Sequence, residues 1–234
     1  MQHPTSIAIA DFNGDGIPDL AVALNGFFGN PIPGQILLGN GDGTFRMVNA
    51  SIAAGVTLAA ADFNHDGKQD LAIGTSGGVG IMLGNGDGTF QPISAERKGQ
   101  IGSLLVADFN KDGEPDVAGV GTNPSGQGVV SVYLGDGQGI MPAKTTVIGS
   151  FVPMSAVASD FDADGIPDLA VTTGGVPGSV ALLRGKGTGS FKTTIYQEGL
   201  AQGIVAGDLD GNGTPDLAIT TSTEDSVTVL LNQP

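Results

Sequence analysis

The hydrophobic residues of this chain occur in short runs that glycine, proline, asparagine and aspartate interrupt at regular intervals. In the first part of the chain these runs predict strands at residues 7–10, 20–24, 35–38 and 45–49. Short segments rich in Val, Ile and Ala that are bounded by turn residues are typical of β-strands. Because no window sustains a helical period, the pattern predicts an all-β protein.

One acidic segment recurs five times along the chain. Its first copy reads DFNGDGIPDLAV from Asp11 and its last reads DLDGNGTPDLAI from Asp208, and the successive spacings are 51, 46, 52 and 48 residues. A glycine-rich segment, LGNGDGTF at residues 38–45, returns at 83–90 and in weaker form at 134–141 and 183–191. Each unit therefore contains strand, acidic loop, strand, variable loop, strand, glycine-rich turn and strand.

Four antiparallel strands in about 40–50 residues form the unit of a propeller blade. We therefore predict one β-propeller domain over residues 1–234, with five four-stranded repeats at about 5–53, 54–100, 101–151, 152–200 and 201–234. The last repeat stops after its third strand, so its blade is either three-stranded, part of a larger propeller, or completed by association of copies.

The acidic loops place oxygen-bearing side chains at positions 1, 3, 5 and 9 and glycine at position 6. Calcium takes six to eight oxygen ligands, and alternate side chains of a tightly curled loop can converge on one ion. The predicted side-chain ligands are Asp11, Asn13, Asp15 and Asp19; Asp62, Asn64, Asp66 and Asp70; Asp108, Asn110, Asp112 and Asp116; Asp160, Asp162, Asp164 and Asp168; and Asp208, Asp210, Asn212 and Asp216. The carbonyls at position 7 are expected to join them, from Ile17, Lys68, Glu114, Ile166 and Thr214.

An EF-hand would require a glutamate at position 12 of each loop, where this chain has Val22, Ile73, Gly119, Val171 and Ile219. The residues that follow each loop also predict strand, so the loop joins the first two strands of a blade. A cage made wholly of protein oxygens suits Ca²⁺ better than the smaller Mg²⁺. The sequence thus predicts about five calcium ions, one for each repeat.

The net charge of −15 supports bound metal. Of the 24 acidic residues, 16 occupy predicted ligand positions, and five calcium ions would reduce the formal charge to −5. Without a cation, each like-charge pair near 4 Å costs about 1 kcal/mol in water and about 4 kcal/mol at an effective dielectric of 20. The same acidity makes nucleic acid an unfavourable partner, and the apolar runs are too short to span a membrane.

These repeats resemble the FG-GAP/VCBS repeats of integrin α-subunits and bacterial secreted proteins. The resemblance rests on the five D-x-[DN]-x-[DN]-G-x-x-D loops, whose repeats cover nearly the whole chain. The resemblance implies blades around a central axis, with calcium in the loop between strands one and two. Integrin propellers have seven blades, whereas this chain has five copies. The Phe-Gly and Gly-Ala-Pro motifs of the family are poorly kept, which favours the bacterial branch.

The predicted function is a non-catalytic, calcium-stabilised binding or scaffold module for protein recognition or adhesion. Almost every aspartate is assigned to a metal loop, and His3 and His65 lie far apart. The ligand, protein or glycan, is expected on the face opposite the calcium loops, where residues 25–34, 75–80, 121–128, 173–179 and 221–226 join strands two and three. Phe27 and Phe28 are a candidate anchor there, whereas Phe45, Phe90 and Phe191 are expected to pack between blades.

Two alternatives to protein recognition are a lectin-type propeller and a fragment of a larger propeller without its own ligand. The chain has no Trp and only two Tyr, which disfavours a sugar site because such sites usually stack on these residues. Structural calcium and the absence of cysteine favour a secreted or cell-surface protein, although residues 1–4 lead straight into a strand without a signal peptide. The incomplete last blade also allows self-association.

Overall fold

The computed structural model describes residues 3–25, 31–75, 77–93, 100–138, 140–174, 178–197, 201–221 and 225–233. Within these residues the regular elements are strands, which confirms the all-β prediction. The strands of the first two repeats are β1 His3–Ala10, β2 Asp19–Asn25, β3 Pro31–Gly39, β4 Phe45–Ile52, β5 Thr57–Ala61, β6 Asp70–Thr75 and β7 Gly78–Met82. Those of the third and fourth are β8 Gln100–Ala107, β9 Asp116–Thr122, β10 Gly128–Gly135, β11 Ile140–Gly149, β12 Pro153–Ser159, β13 Asp168–Thr173, β14 Ser179–Gly185 and β15 Phe191–Gln197. The fifth repeat contributes β16 Ala201–Gly207, β17 Asp216–Thr221 and β18 Ser226–Leu230.

The strands form five sheets, one for each repeat. The sheet orders are β1-β2-β3-β4, β5-β6-β7, β11-β10-β9-β8, β12-β13-β14-β15 and β16-β17-β18. Neighbouring strands pair antiparallel, as β13 and β14 do with Leu169 opposite Leu183. The four strands predicted for the first repeat are therefore present, each at its expected place and somewhat longer than predicted.

The second repeat differs from the four-stranded prediction. Among its described residues, up to Ile93, the fourth strand is reduced to one bridge between Gly84 and Phe90 and one hydrogen bond from the Gln91 amide to the Leu83 carbonyl, 2.8 Å. Pro92 follows directly, and proline has no amide hydrogen to continue the ladder. The last repeat has three strands, as the sequence allowed.

The second and third strands of the sheets together supply most of the core. All residues of β6 and β13 are buried, whereas β1 alternates between exposed and less exposed positions. A strand covered on both faces has no solvent side, so its sequence is a continuous apolar run without a period of two. This explains the runs Leu-Ala-Ile and Leu-Ala-Val that follow the acidic loops.

The chain forms two compact units. One contains residues 1–106 and 135–142, and the other contains residues 107–134 and 143–234. The first has a core around Phe12, Ile36, Leu71 and Ile73, and the second one around Phe161, Ala170, Leu217 and Ile219. The assignment of residues 1–234 to a single domain with the repeat boundaries given above stays a prediction. Within the described part of the chain, no helix has the length and hydropathy needed to cross a bilayer.

Candidate metal centres

Each acidic loop connects the first strand of its sheet to the second, as predicted. The loops begin directly after β1, β5, β8, β12 and β16, and position 9 of each is the first residue of the next strand. The strands therefore fix both ends of every loop at a separation set by antiparallel pairing. For example, Ala10 pairs with Asp19 across the base of the first loop.

The aspartate at position 1 organises the backbone of its own loop. Asp11 accepts hydrogen bonds from the amides of Gly14 at 2.8 Å, Asp15 at 3.1 Å and Gly16 at 2.7 Å. The bond from the position 6 glycine recurs in all five loops, with distances of 2.7–2.9 Å. These amide hydrogen bonds hold the carboxylate in one orientation and curl the loop around it.

The side chains at positions 1, 3 and 9 converge. Carboxylate oxygens of Asp160, Asp162 and Asp168 lie within 4.8 Å of one another, and so do those of Asp208, Asp210 and Asp216. In the first three loops position 3 is asparagine, whose amide oxygen can replace one carboxylate oxygen as a neutral ligand. The sequence prediction joined the same three positions, and the fourth and fifth loops bring all three together as carboxylates.

The position 5 side chain is not part of either of these two aspartate clusters. Its side-chain oxygen accepts a hydrogen bond from the position 7 amide in every loop, as from Ile17 to Asp15 at 2.8 Å and from Thr214 to Asn212 at 2.7 Å. The bond closes the last turn before the second strand. Ligation by position 5 and by the carbonyls of position 7 stays a prediction.

The aspartate at position 9 has a second task that the sequence did not indicate. In the first loop, one oxygen of Asp19 accepts from the Phe12 amide at 2.9 Å and the other from the Gly39 amide at 2.8 Å. Asp70 and Asp168 make the same pair of bonds, to Phe63 and Gly84 and to Phe161 and Gly185. Each carboxylate therefore clamps the start of its loop to the end of the third strand, and all five are buried.

For two of these position 9 aspartates, Asp70 and Asp168, burial has the largest influence on the pKa and raises it. Backbone amides act in the opposite direction, while the neighbouring carboxylates of the same loop raise the pKa further. A divalent cation would supply the missing positive charge and favour the ionised form. An all-oxygen, partly desolvated donor set of this kind fits a hard cation such as calcium.

At other carboxylates of the acidic loops the pKa is lowered instead, as Asp11 and Asp216 show. At Asp11, desolvation acts to raise the pKa, but the amides of Gly16, Gly14 and Asp15 together lower it. At Asp216 the amides of Asn232 and Leu209 lower the pKa. Hydrogen bonds to the charged form therefore outweigh desolvation at these two carboxylates.

Three cationic side chains contact the loops. Lys68 lies 3.5 Å from Asp66, Arg184 lies 3.7 Å from Asp162, and the Lys111 ammonium donates to the Asp164 carbonyl at 3.0 Å. The Lys111 bond connects the third loop to the fourth. These contacts are exposed, so each contributes little to stability by itself.

The phenylalanine at loop position 2 is a structural residue that sequence reasoning missed. Phe12 packs edge-on against Phe90 of the next repeat at 5.6 Å, and Phe109 packs the same way against Phe191 at 5.9 Å. The carbonyls of Phe12 and Phe109 also accept hydrogen bonds from Gly88 and Gly189 in the neighbouring glycine-rich turns. The recurrence of Asp-Phe at the start of four loops was the available signal.

The expectation that Phe90 and Phe191 pack between blades is thus confirmed, but the same expectation for Phe45 is wrong. Phe45 is 43% exposed. Phe90 and Phe191 each pack on the phenylalanine of the preceding repeat, whereas Phe45 belongs to the first repeat of the chain. The candidate anchor of Phe27 and Phe28 lies outside the described residues.

Comparisons with known proteins place this geometry in context. A family model described as FG-GAP-like repeat matches residues 11–73, 62–119, 108–171 and 160–219. Integrin alpha-IIb of Mus musculus is 36% identical over 84 residues, which cover 31% of this chain and 8% of the integrin. Phosphatidylinositol-glycan-specific phospholipase D of Rattus norvegicus is 33% identical over 158 residues, or 53% of this chain and 19% of the phospholipase. The chain thus matches less than a fifth of the length of each of these curated relatives.

Solved structures give the fold. A lectin of Agrocybe aegerita that recognises non-reducing terminal N-acetylglucosamine aligns with 99% of this chain and 63% of its own, with a TM-score of 0.63 and 21% identity. A rhamnogalacturonan lyase of Bacillus licheniformis aligns with 98% of this chain and 49% of its own, with a TM-score of 0.56 and 15% identity. At these identities the likeness concerns the fold alone, and it agrees with the β-propeller class.

Proposed function

This chain belongs to the FG-GAP-like repeat family, and from that membership we propose that it is a calcium-stabilised, non-catalytic binding module that works outside the cell. The observation that carries the proposal is the repeated convergence of oxygen ligands at positions 1, 3 and 9, best seen at Asp160, Asp162 and Asp168. The metal ligands that we propose are the same residues that the sequence predicts. Calcium would neutralise buried and crowded carboxylates that burial alone disfavours.

In this proposal the metal is structural. Each metal loop joins the first strand of its sheet to the second, which lies inside the sheet and contributes to the core. An ion bound in the loop therefore fixes the geometry at that end of the sheet. Ligands that bind only the folded state stabilise it by about 2.7 kcal/mol per site at a hundredfold excess over Kd, or about 13 kcal/mol for five sites. Millimolar calcium is an extracellular condition, which supports a secreted or cell-surface location.

Removal of calcium is the first test. We expect EDTA to lower the melting temperature by tens of degrees, because about 1 kcal/mol corresponds to roughly 2–4 °C in a chain of this size. Differential scanning calorimetry with calcium, EDTA and restored calcium measures the change, and Mg²⁺ in place of calcium is the ion control. A shift of only a degree or two would exclude a structural role.

The number of ions is the second part of this test. Calcium titration calorimetry of the wild-type chain should give about five sites, and Asp162→Ala should remove one of them. Arg184→Gln is the matched control, since Arg184 contacts Asp162 but offers no oxygen ligand. Equal stoichiometry in wild type and Asp162→Ala would contradict the ligand assignment in the fourth loop.

We propose that the ligand is a protein and that it binds the loops between the second and third strands, away from the metal loops. Of these loops, residues 121–128 are described throughout. Asn123 caps this loop by accepting from the amides of Ser125 and Gln127, both at 3.0 Å. Such an ordered turn can present side chains to a partner at low entropic cost.

A lectin is the second candidate function, and the fold of the Agrocybe aegerita lectin is the observation that favours it. A glycan array probed with the calcium-loaded chain separates the two functions. Saturable binding to one glycan class that free sugar inhibits would support the lectin, and an array without binding would leave protein recognition.

A lyase assay tests the proposal that the chain is non-catalytic, since a rhamnogalacturonan lyase has a similar fold. Release of unsaturated sugars from rhamnogalacturonan would contradict that proposal.

A further inference from the structure

Two hydrogen-bonded connections run between the metal loops of neighbouring repeats. One joins the first loop to the second, within the compact unit of residues 1–106 and 135–142. The other joins the third loop to the fourth, within the unit of residues 107–134 and 143–234. Each connection runs through the glycine-rich turn of the later repeat, so the two units provide independent copies of one arrangement.

The first connection begins at position 9 of the second loop. There the Asp70 carboxylate accepts a hydrogen bond at 2.8 Å from the amide of Gly84, at the start of the glycine-rich turn. Further along the turn, the Gly88 amide donates to the Phe12 carbonyl in the first loop at 3.0 Å. The Phe12 amide in its turn donates to Asp19 at 2.9 Å. Asp70 and Asp19, one proposed ligand from each loop, are therefore linked through this turn.

The second connection repeats these contacts. The carboxylate of Asp168 in the fourth loop accepts from the Gly185 amide at 2.7 Å. The Gly189 amide donates to the Phe109 carbonyl in the third loop at 3.2 Å. The Phe109 amide donates to Asp116 at 2.8 Å, which completes the same path between two position 9 aspartates.

The glycine-rich turns are tightly packed against the earlier repeat. Gly88 has a φ of 83°, and a Cβ on it would lie 3.2 Å from the Leu38 side chain. Gly189 has a φ of 69°, and its Cβ would lie 2.8 Å from Leu134. The phenylalanine that follows each of these glycines packs edge-on against the position 2 phenylalanine of the earlier loop. Since close-packed groups transmit strain, a displacement of the turn must move the earlier loop as well.

We propose that the glycine-rich turn of the later repeat is an outer part of the earlier repeat's metal site, so that calcium binds cooperatively at the first and second loops and at the third and fourth. This coupling rests on the calcium role proposed above. An ion that fixes Asp70 or Asp168 also fixes the turn, which then holds the backbone of the earlier loop in place. Replacement of groups that orient metal ligands from outside commonly changes affinity by about 10–100-fold, and coupling between two binding sites is reciprocal.

Charge acts against this coupling. Calcium in one loop removes part of the negative potential that attracts calcium to the next loop, which lowers the affinity there. In about 1 M NaCl the Debye length is about 3 Å, so this opposing effect is largely screened. The hydrogen bonds and ring contacts remain under these conditions. Titration at high salt therefore isolates the coupling through the turns.

The position 6 glycines allow each metal site to be observed by itself. These residues each donate an amide hydrogen bond to the position 1 aspartate of their own loop: Gly16, Gly67, Gly113, Gly165 and Gly213. In the full chain labelled with ¹⁵N-glycine, their amide shifts report calcium binding loop by loop. We expect Gly16 and Gly67 to titrate as one cooperative pair, and Gly113 and Gly165 as another.

Removal of one ligand tests whether a loop affects its neighbour. Asn64→Ala weakens the second loop without a change of charge, because Asn64 is its neutral position 3 ligand. We expect the calcium Kd reported by Gly16 to rise at least about fivefold, while that reported by Gly165 is unchanged. Asn110→Ala is the matched control, since the same substitution in the third loop should affect Gly165 and leave Gly16 unchanged.

Replacement of a ring tests the turn itself. Phe90→Leu keeps an apolar side chain but loses the edge-on contact with Phe12, and Phe90 is not a proposed ligand. The Kd reported by Gly16 should rise at least about fivefold, while that reported by Gly113 stays the same. Phe191→Leu should give the reverse pattern, so each variant is the control for the other.

Three outcomes would overturn the coupling. They are independent titration of the five glycines, an unchanged Kd at Gly16 in either Asn64→Ala or Phe90→Leu, and equal weakening of all sites in these variants. Equal weakening would mean that the sites are linked only through folding of the whole chain. Because Asn64→Ala removes no core side chain, it decides the question even if Phe90→Leu does not fold.

The same titration separates this coupling from the calcium proposal on which it rests. In each of the three outcomes above the glycine amides still shift with calcium, so the calcium proposal stands while the coupling fails. If no position 6 glycine shifts on addition of calcium, the calcium proposal itself is refuted, and the coupling with it.

Discussion

At the scale of single residues, the left-handed backbone at loop position 4 is the main source of local strain. His65, Lys111 and Ala163 have φ of 55°, 61° and 58°, whereas the first and fifth loops use Gly14 and Gly211 there. The left-handed region costs a residue with a Cβ roughly 1–2 kcal/mol. Position 6 also has positive φ, but there every loop has glycine, which adopts this conformation without strain.

Replacement at this position should therefore change stability in a predictable direction. We expect Ala163→Gly to stabilise the chain by about 0.5–1 kcal/mol, since relief of strain exceeds the entropy gained by the unfolded glycine. The reverse change, Gly14→Ala, should destabilise by a similar amount, because its new Cβ meets no atom closer than 3.8 Å and only the backbone is strained. Urea unfolding of both variants measures this, and equal signs for the two would refute the strain argument.

The glycine-rich turns carry a second residue-scale effect. The Thr44 hydroxyl donates to Asp42 at 2.6 Å and the Thr44 amide donates to the same carboxylate at 2.9 Å, and these bonds lower the pKa of Asp42. A lowered pKa in the folded state means that the stabilisation is present above the unfolded pKa and is lost as pH falls through the folded value. Thr89 makes the same contacts to Asp87.

Thr44→Val should raise the pKa of Asp42 towards its ordinary value, while Asp87 keeps its lowered pKa as an internal control. Carboxyl carbon NMR titration of both residues measures this directly. The variant should also lose more stability at neutral pH than at a pH below the folded-state pKa of Asp42, where the carboxyl is protonated in both the folded and the unfolded chain. An unchanged Asp42 pKa in Thr44→Val would show that the hydroxyl bond is unimportant.

At the scale of the structural elements, the position 9 aspartate joins parts that local sequence does not connect. Asp19 opens β2, yet it accepts from Phe12 in the loop and from Gly39 at the end of β3, twenty residues away. The same carboxylate is a predicted metal ligand. Because the donors of the clamp are backbone amides, its contribution to stability can be measured separately from metal binding.

Asp19→Ala should therefore destabilise the chain even in EDTA. It leaves two buried amides without their acceptor, at a cost of about 1–3 kcal/mol each. Asp15→Ala is the comparison, since Asp15 is exposed and its loss in EDTA should change the free energy of unfolding by less than about 1 kcal/mol. Urea denaturation in EDTA measures both, and the clamp would be refuted if the two variants were equally stable.

At the scale of the whole molecule, the distribution of charge decides how the chain responds to its solvent. The net charge is −15, and 16 of the 24 acidic residues stand at loop positions proposed for metal. Without metal these carboxylates repel one another across short distances. Salt reduces this repulsion, since the Debye length falls from about 10 Å at 0.1 M to about 3 Å at 1 M.

We accordingly expect a rise from about 0.1 M to about 1 M NaCl to increase the melting temperature of the EDTA-treated chain by several degrees. The calcium-loaded chain should gain less, because five ions would already reduce its formal charge to −5. Thermal scans of both forms at both salt concentrations make the comparison. An equal rise in melting temperature in the two forms would mean that calcium does not act by relieving repulsion between the loop carboxylates.

The sequence by itself determined most of the strands, the five repeats, and the position of every acidic loop between the first and second strands. These features are local: each loop lies within nine residues, and each strand can be read from a run of apolar residues between turns. Only the tertiary structure decided that Asp19 reaches Gly39, that Phe12 meets Phe90, that Phe45 is exposed, and that the second sheet has three strands. Asp19 lies twenty residues from Gly39, and Phe12 and Phe90 belong to different repeats, so these two contacts depend on how strands and sheets pack.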